Sequence, residues 1–326
     1  MRSDATRSGP FPGHGLHALR RAAAPLLPLT PLAPDDYKRD HALFEARSDQ
    51  RGLVVDWLTR AVADRADGPT CVLSIGCGDG SVDVRLAEAL ASGGCPVDYV
   101  GVEPHAPSAE EFRNRLGLVP GVTAHAAVVP FREFSHRAVP SRPGCRPAPE
   151  RFDIITAVHS LYYVADLRSA LRDAYRLLAP GGMLVVLHAP QGTLNELVGV
   201  LAPGPPQEFS QAVATALAAE GLPVERGRIE ACVDRSPGPA TVEPETAPVD
   251  PADARRALHF AVQAVLPDEL HALVVEALRA AAMPGRPLRL PHPLDTFVVR
   301  APVGPARTDP SAGRPVDAGR GGVTSR

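Results

Sequence analysis

The stretch Val72-Leu73-Ser74-Ile75-Gly76-Cys77-Gly78-Asp79-Gly80 constrains this chain more than any other part of it. It reads as a buried β-strand (Val72, Leu73, Ile75) that breaks into a Gly-x-Gly-x-Gly turn and continues as a helix from Ser81 to Ala91. A backbone that must take positive φ, or approach a ligand closely, cannot carry a Cβ, and this selects glycine. A second apolar run, Val97 to Val102, ends in Glu103. An acidic residue at the tip of the second strand, about 20 residues beyond a Gly-rich first turn, is placed to accept hydrogen bonds from a ribose diol. Turn and acid together predict a nucleoside-containing cofactor, although the turn by itself is also readable as an ordinary loop.

The spacing narrows the choice of cofactor. A dinucleotide site favours G-x-G-x-x-G, which seats a pyrophosphate on a helix N-terminus. Here the pattern is Gly76-x-Gly78-x-Gly80 with Asp79 inside the turn. A carboxylate there repels a pyrophosphate and attracts a cationic sulfonium or an amino-acid ammonium. The segment resembles the first turn of class I S-adenosylmethionine (SAM) methyltransferases.

The order of predicted elements agrees. A helix from Pro34 to Ala63, with Tyr37, Phe44, Leu53, Val54, Trp57 and Leu58 on one face, breaks near Ser48–Gly52. Strand 71–75, helix 81–91, strand 97–103, helix 107–116 and strand 122–129 follow. Beyond a Pro/Arg/Gly-rich loop at 137–151 come strand 152–158, helix 166–178 with a Gly-based stop at Pro180-Gly181-Gly182, and strand 183–187. Helix 207–220, a sixth strand at 225–233, helices at 251–265 and 267–282 and a seventh strand at 294–300 complete the pattern. Alternating strands and helices specify a parallel sheet covered on both faces. The fold expected is therefore α/β, a Rossmann-like seven-stranded class I methyltransferase sheet with helices on both faces and a small helical substrate-binding lid. Residues 36–301 form the domain, 36–60 and 234–293 its lid, and the segments 1–35 and 302–326 a disordered leader and tail.

Composition excludes several functions. The chain has 326 residues and a formal net charge of -3, with no basic stripe to suggest nucleic acid. No apolar run is long enough to span a bilayer, and prolines interrupt the apolar part of the N-terminal segment, which argues against a signal peptide. The five cysteines (Cys71, Cys77, Cys95, Cys145, Cys232) are scattered without a C-x-x-C pair, so free thiols in a cytoplasmic protein are expected and no metal site. A monomer acting on a small-molecule acceptor, away from membranes, is the simplest reading.

Within the superfamily the motifs are similar to those of the histamine N-methyltransferases. Ser74-Ile75-Gly76-Cys77-Gly78 looks like that family's Ser-Ile-Gly-Gly-Gly, where most SAM methyltransferases have Asp-x-Gly-x-Gly. Asp36-Tyr37, Ser48, Glu103-Pro104, Leu161-Tyr162-Tyr163-Val164 with Asp166, Pro267-Asp268-Glu269-Leu270 and Leu294 to Ala301 agree with it as well. The resemblance implies that Gly76 touches the methionine part of SAM, that Glu103 holds the ribose, and that Ser108 and Val158 lie beside the cofactor with Gly78 and Gly80 in the turn. It also implies a substrate-binding set in which the family's Glu, Gln and Asn are replaced by Gln50, His159 and His292. All three substrate-facing positions have changed, so an acceptor other than histamine is expected.

Each of these residues has a plainer reading. His159 is also readable as a core histidine bonded to a carbonyl, His292 as part of a Pro-flanked loop, and Gln50 as solvated on a helix bend. Tyr162, Tyr163 and Phe131 fit packing as well as ligand contact. Methyl transfer from a sulfonium is an in-line displacement that needs positioning more than acid or base, so His159 and His292 are expected to orient the acceptor or take its proton. Two functions compete: a small-molecule methyltransferase, acting on the nitrogen of an aromatic amine or heterocycle or else on carbon or oxygen, and a non-catalytic SAM-fold binding module.

Overall fold

The structure, a computed structural model, describes residues 13–63, 68–136, 151–162, 164–192, 194–201, 207–234, 250–282 and 289–303. The element order is α1 (Gly13–Ala23), a 3-10 turn (Ala24–Leu26), α2 (Pro34–Glu45), α3 (Gln50–Ala61), β1 (Thr70–Ile75), α4 (Asp83–Ala91), β2 (Val97–Val102) and α5 (Ala106–Leu116). Next come β3 (Val122–Ala127), α6 (Phe131–His136), β4 (Phe152–Val158), α7 (Leu167–Arg176), β5 (Leu178–His188), α8 (Asn195–Leu201) and α9 (Ser210–Ala219). The chain continues through β6 (Val224–Ile229), β7 (Cys232–Asp234), α10 (Pro251–Val262), α11 (Asp268–Ala280), β8 (Arg289–Pro291) and β9 (Leu294–Arg300).

Seven strands form one sheet in the order β3-β2-β1-β4-β5-β9-β6, and β7 pairs with β8 in a separate ribbon. Strands β1 to β5 are parallel, and β9 enters antiparallel between β5 and β6. The β1 and β2 runs are buried throughout, as strands covered on both faces must be. The edge strand β6 instead carries Glu225, Arg226 and Arg228 toward solvent, where charge discourages pairing with another chain. The chain order reverses between β1 and β4, which places the ligand crevice beyond the carboxyl ends of those strands.

Two apolar cores flank the sheet. One joins β1, β4 and β5 to α7 and α9 through Leu73, Ile155, Leu171, Leu184 and Leu217. The other joins the opposite face to α3, α4 and α5 through Leu58, Val72, Leu86, Phe112 and Val185. A third core lies apart from the sheet, where α1, α2, α8, α10 and α11 bury Leu19, Phe44, Leu197, Val262 and Val274. Caps explain where some of these helices begin: the Asp166 side chain accepts the Ser169 N–H at 2.9 Å and Asp250 accepts the Ala252 N–H at 2.8 Å.

The structure corrects several expectations. Of the expected leader, residues 13–35 are ordered: α1 packs on α8 and α11, with Leu19 1% and Ala23 0% exposed, and Pro31 bridges Ala264. A helical layer larger than the expected lid therefore includes α1 and α8. The helix break falls at 46–49, overlapping the predicted 48–52. Pro180-Gly181-Gly182 does not stop a helix. α7 ends at Arg176, and the turn residues form an irregularity inside β5, where Gly181 takes φ +72° and the register shifts against β4. The predicted sixth strand is split into β6 and β7, which belong to different sheets. Cys71 is disulfide-bonded, while Cys77, Cys95 and Cys232 are free thiols. The loops at 137–150 and 236–249, Tyr163, and the tail beyond residue 303 lie outside the described residues. Among the described residues, no helix is long and apolar enough to cross a membrane, and no group of His, Cys, Asp and Glu could hold a metal ion.

Candidate active site

The Gly-rich turn leaves β1 with three glycines at positive φ: Gly76 (+65°), Gly78 (+55°) and Gly80 (+74°). Their reasons differ. A Cβ on Gly76 would lie 2.4 Å from the Ser160 Cβ, and one on Gly80 would strike the Phe112 ring at 2.9 Å. These two are glycines because neighbouring elements press on them. A Cβ on Gly78 would meet nothing within 4 Å, so open space lies beside a strained backbone at the mouth of the crevice.

Glu103, directly beyond β2, holds this turn in shape. Its Oε2 accepts the Gly78 N–H at 3.2 Å and its Oε1 accepts the His105 N–H at 2.9 Å. A carboxylate has about four acceptor sites, so lone pairs remain for a vicinal diol. Asp79 accepts the Ser81 N–H and pairs with Arg115 at 3.3 Å, and hydrogen bonds and Arg115 hold its pKa low despite burial. The turn thus carries two carboxylates and no arginine or lysine of its own, an acceptor set suited to a ribose and a cationic methionine group and unsuited to a pyrophosphate. Ser108 ties its hydroxyl to His105 Nδ1 at 2.8 Å in the first turn of α5, and Val158 ends β4 half-buried. Phe131 opens α6 and stacks on Phe134.

Beneath the turn lies a polar pair that sequence reasoning missed. Asp83, in the first turn of α4, is buried and accepts the Tyr99 hydroxyl at 2.8 Å. Burial raises its pKa to about 6. The available signal was an acid in the first helical turn, ordinarily a helix-dipole partner.

Gln50, His159 and His292, predicted from three distant segments, meet in one hydrogen-bonded chain. Gln50 Nε2 donates to the His292 carbonyl at 2.6 Å, and its Oε1 lies 2.7 Å from His159 Nε2. Because the amide nitrogen must be the donor to His292, Oε1 accepts, and His159 carries its proton on Nε2. Burial, reinforced by His292 and His188, pushes the His159 pKa down to about 3, so its Nδ1 is a lone pair that accepts the Tyr162 hydroxyl at 2.8 Å. The residue as a whole is exposed at the strand end, while protein closes around its two ring nitrogens. Both its nitrogens are engaged, which makes His159 a positioning group in this arrangement and not a free base. Its backbone takes φ +52°, a left-handed conformation rare outside glycine, and is tied to Leu187 O at 3.1 Å. Strain of about 1–3 kcal/mol at such a residue is characteristic of functional sites.

His292 is buried, stacks on His159 at 6.5 Å between centroids and meets the Phe44 ring edge-on at 5.4 Å. Burial lowers its pKa to about 4. Its Nδ1 lies 3.4 Å from Ser48 Oγ, and its Nε2 has no partner among the described residues. Sequence reasoning passed over His188, whose ring packs 4.1 Å from Tyr162 and whose Nε2 contacts Glu208 O at 2.8 Å. It ends β5, and the strand-end rule that singled out His159 applies to it equally.

Among the described residues, Asp49 and Glu45, the carboxylates nearest this cluster, are both engaged in ion pairs. Asp49 accepts the Cys232 N–H at 2.6 Å and Arg289 at 2.8 Å, and Glu45 pairs with Arg51 and with His41 at 3.2 Å.

Comparison with known proteins agrees with the geometry of the turn. Residues 46–199, just under half of the chain, match a family model described as a methyltransferase domain. The ubiquinone biosynthesis O-methyltransferases of Pseudomonas putida and Pseudomonas entomophila are each 28% identical over 159 residues, covering 48% of this chain and 60% of the relative. The chain thus spans somewhat under two thirds of the length of these curated relatives. The YcgJ protein of Bacillus subtilis is 15% identical, with a TM-score of 0.48 over 76% of this chain and 100% of that one. Residues 46–199 thus resemble a methyltransferase domain, and a SAM-dependent methyltransferase is the enzyme class this match supports.

Proposed function

We propose that this protein methylates a small molecule that bears no cationic amine, at the nitrogen of an aromatic amine or heterocycle. The observation that carries this reading is the Gln50–His159–His292 chain at the carboxyl ends of the strands, beside a cofactor turn, with every nearby carboxylate already paired. An acceptor nitrogen attacks as a neutral group, and the enzyme's main task is to hold it in line with the S–CH3 bond. With the Nδ1 proton toward Ser48, His292 Nε2 offers a lone pair to an acceptor N–H, while Tyr162 and Gln50 fix the His159 ring. The bound cofactor supplies the methyl group and the sulfonium leaving group.

The likeness to histamine N-methyltransferases rests on the sequence motifs alone, and Gln50 in place of a carboxylate argues against histamine. Oxygen methylation is the second reading, favoured by the names of the curated relatives. It requires a base for the hydroxyl proton, and His292 is the candidate. We further propose that the protein works alone on this substrate class, without nucleic acid. Turnover of histamine by wild type and Gln50→Glu tests the acceptor's charge. The reading expects little wild-type turnover and a gain in the variant; efficient wild-type turnover contradicts it.

A further inference from the structure

The helical layer beside the sheet contains a cavity of about 240 Å3. Phe44 of α2, Leu258 of α10, Leu278 of α11, Leu290 of β8 and Leu194 ahead of α8 form much of its wall. The volume lies between that of an aliphatic cavity of about 150 Å3, which binds benzene, and the roughly 300 Å3 at which drug-sized pockets begin. It suits a body of one ring or a short chain.

Two polar side chains, Arg47 and His271, interrupt the apolar wall. Arg47 follows α2 and is half-buried, and its guanidinium has no hydrogen-bond or ion-pair partner among the described residues. The carboxylate that acts on it through space, Asp253, is already paired with Arg256 at 3.2 Å. A guanidinium has five N–H donors in a planar fork and keeps its charge when desolvated, so within an apolar wall it calls for an acceptor. A carboxylate matches the fork in two-pronged geometry.

The cavity also adjoins the candidate active site. Phe44 lines it and touches His292 with the edge-on contact described above. Val233, another wall residue, bridges to Ser48, whose hydroxyl faces His292 Nδ1. Through Phe44 and Val233 the cavity abuts the histidine cluster.

We propose that this cavity holds the body of the methyl acceptor and selects a compact apolar molecule carrying a carboxylate that pairs with Arg47. The inference rests on the small-molecule methyltransferase reading and adds to it a substrate class, apolar acids, and the residues that choose it. An acidic group far from the nucleophile complements Arg47.

The probes are trans-cinnamate, cinnamamide and phenethylamine, which share a phenyl ring and differ in charge. Binding is followed by saturation-transfer NMR and calorimetry on the full chain with S-adenosylhomocysteine present. Wild type is expected to bind cinnamate at about millimolar strength, as suits a fragment of this size, and more tightly than phenethylamine. Arg47→Gln should weaken cinnamate by about tenfold or more while changing cinnamamide little. Ala254→Phe, which fills the cavity from α10, should abolish binding of cinnamate and cinnamamide alike. S-adenosylhomocysteine affinity should be unchanged in both variants, which shows that they are folded. Equal or tighter binding of phenethylamine, indifference of cinnamate to either substitution, or absence of cinnamate binding to wild type overturns the proposal. Failure of wild type to bind S-adenosylhomocysteine would instead remove the methyltransferase reading beneath it, an outcome read from a separate titration.

Discussion

Glu103 holds the turn with its carboxylate, and a ribose contact is proposed for the same group. It accepts backbone N–H groups from both sides of the crevice, from Gly78 in the turn and from His105 beyond β2, and it retains lone pairs for a ribose. Replacing it with alanine removes the clamp on Gly78 and, on the proposed reading, the ribose contact. Glu103→Ala should weaken S-adenosylhomocysteine by about 1.5–3 kcal/mol, the range for hydrogen bonds to a charged group. Titration calorimetry reads this directly, and an unchanged affinity would mean that the ribose lies elsewhere. The same residue-by-residue logic separates the glycines. Gly76 and Gly80 answer to Ser160 and Phe112, and Gly78 alone of the three faces open space. Nothing in the spacing Gly-x-Gly-x-Gly distinguishes these roles, because the difference arises from elements far away in sequence.

At the scale of elements, α1 is the part that composition misjudged. Its arginines and its neighbouring prolines resemble a solvated leader, yet Leu19 and Ala23 fall on one face and seat against α8 and α11. An amphipathic helix of 11 residues has too little apolar surface to be conspicuous alone, and only the partner helices show where that surface goes. Leu19→Ala should therefore destabilise the protein by about 2–5 kcal/mol, the cost of a large-to-small change in a packed core. Removing residues 1–30 should cost at least as much. Thermal melts of the two variants check this, and a melting temperature equal to that of the full chain would show that α1 does not dock. The elements that the sequence made legible share a property: β1, β2, β4 and β9 are short, apolar and bounded by turn residues, so period and punctuation agree. Pro180-Gly181-Gly182 deceived because the same residues that end helices also permit an irregularity in a strand, and pairing with β4 decides between the two. The site was legible through one rule, that strand ends face the ligand. It located Glu103, Val158 and His159, would have located His188, and could not foresee that Gln50 bridges His159 to His292.

At the scale of the molecule, the cluster of neutral histidines sets the response to acid. Burial lowers the pKa of His188 and of His292 to about 4, whereas in the unfolded chain each titrates near 6.5. Between those limits the unfolded state binds more protons than the folded one, so stability falls as pH drops from about 6.5 toward 4. Two such groups give a slope approaching about 3 kcal/mol per pH unit. His159 and His41, lowered to about 3 and about 4, act in the same direction, and their exposure to solvent makes their contribution smaller. Asp83 opposes them. Its pKa is raised from 3.8 to about 6, so it favours the folded state at low pH and loses that contribution as pH rises through this window. The histidines outnumber it, and the melting temperature should fall steeply between pH 6.5 and 4. His188→Gln, which keeps a donor for Glu208 O, should flatten the curve; an unchanged profile would show that folding does not shift the His188 pKa.

The central claim is that one crevice, bounded by Gly78 and Glu103 on one side and by Gln50, His159 and His292 on the other, passes a methyl group to a small molecule. The most direct measurement incubates the full chain with SAM labelled in its methyl group and a metabolite extract, and follows the label by mass spectrometry. The account predicts labelled small-molecule products with wild type and their loss with Glu103→Ala. Cofactor binding without transfer of label to any component of the extract would contradict it, and would identify the domain as one that binds SAM without using it.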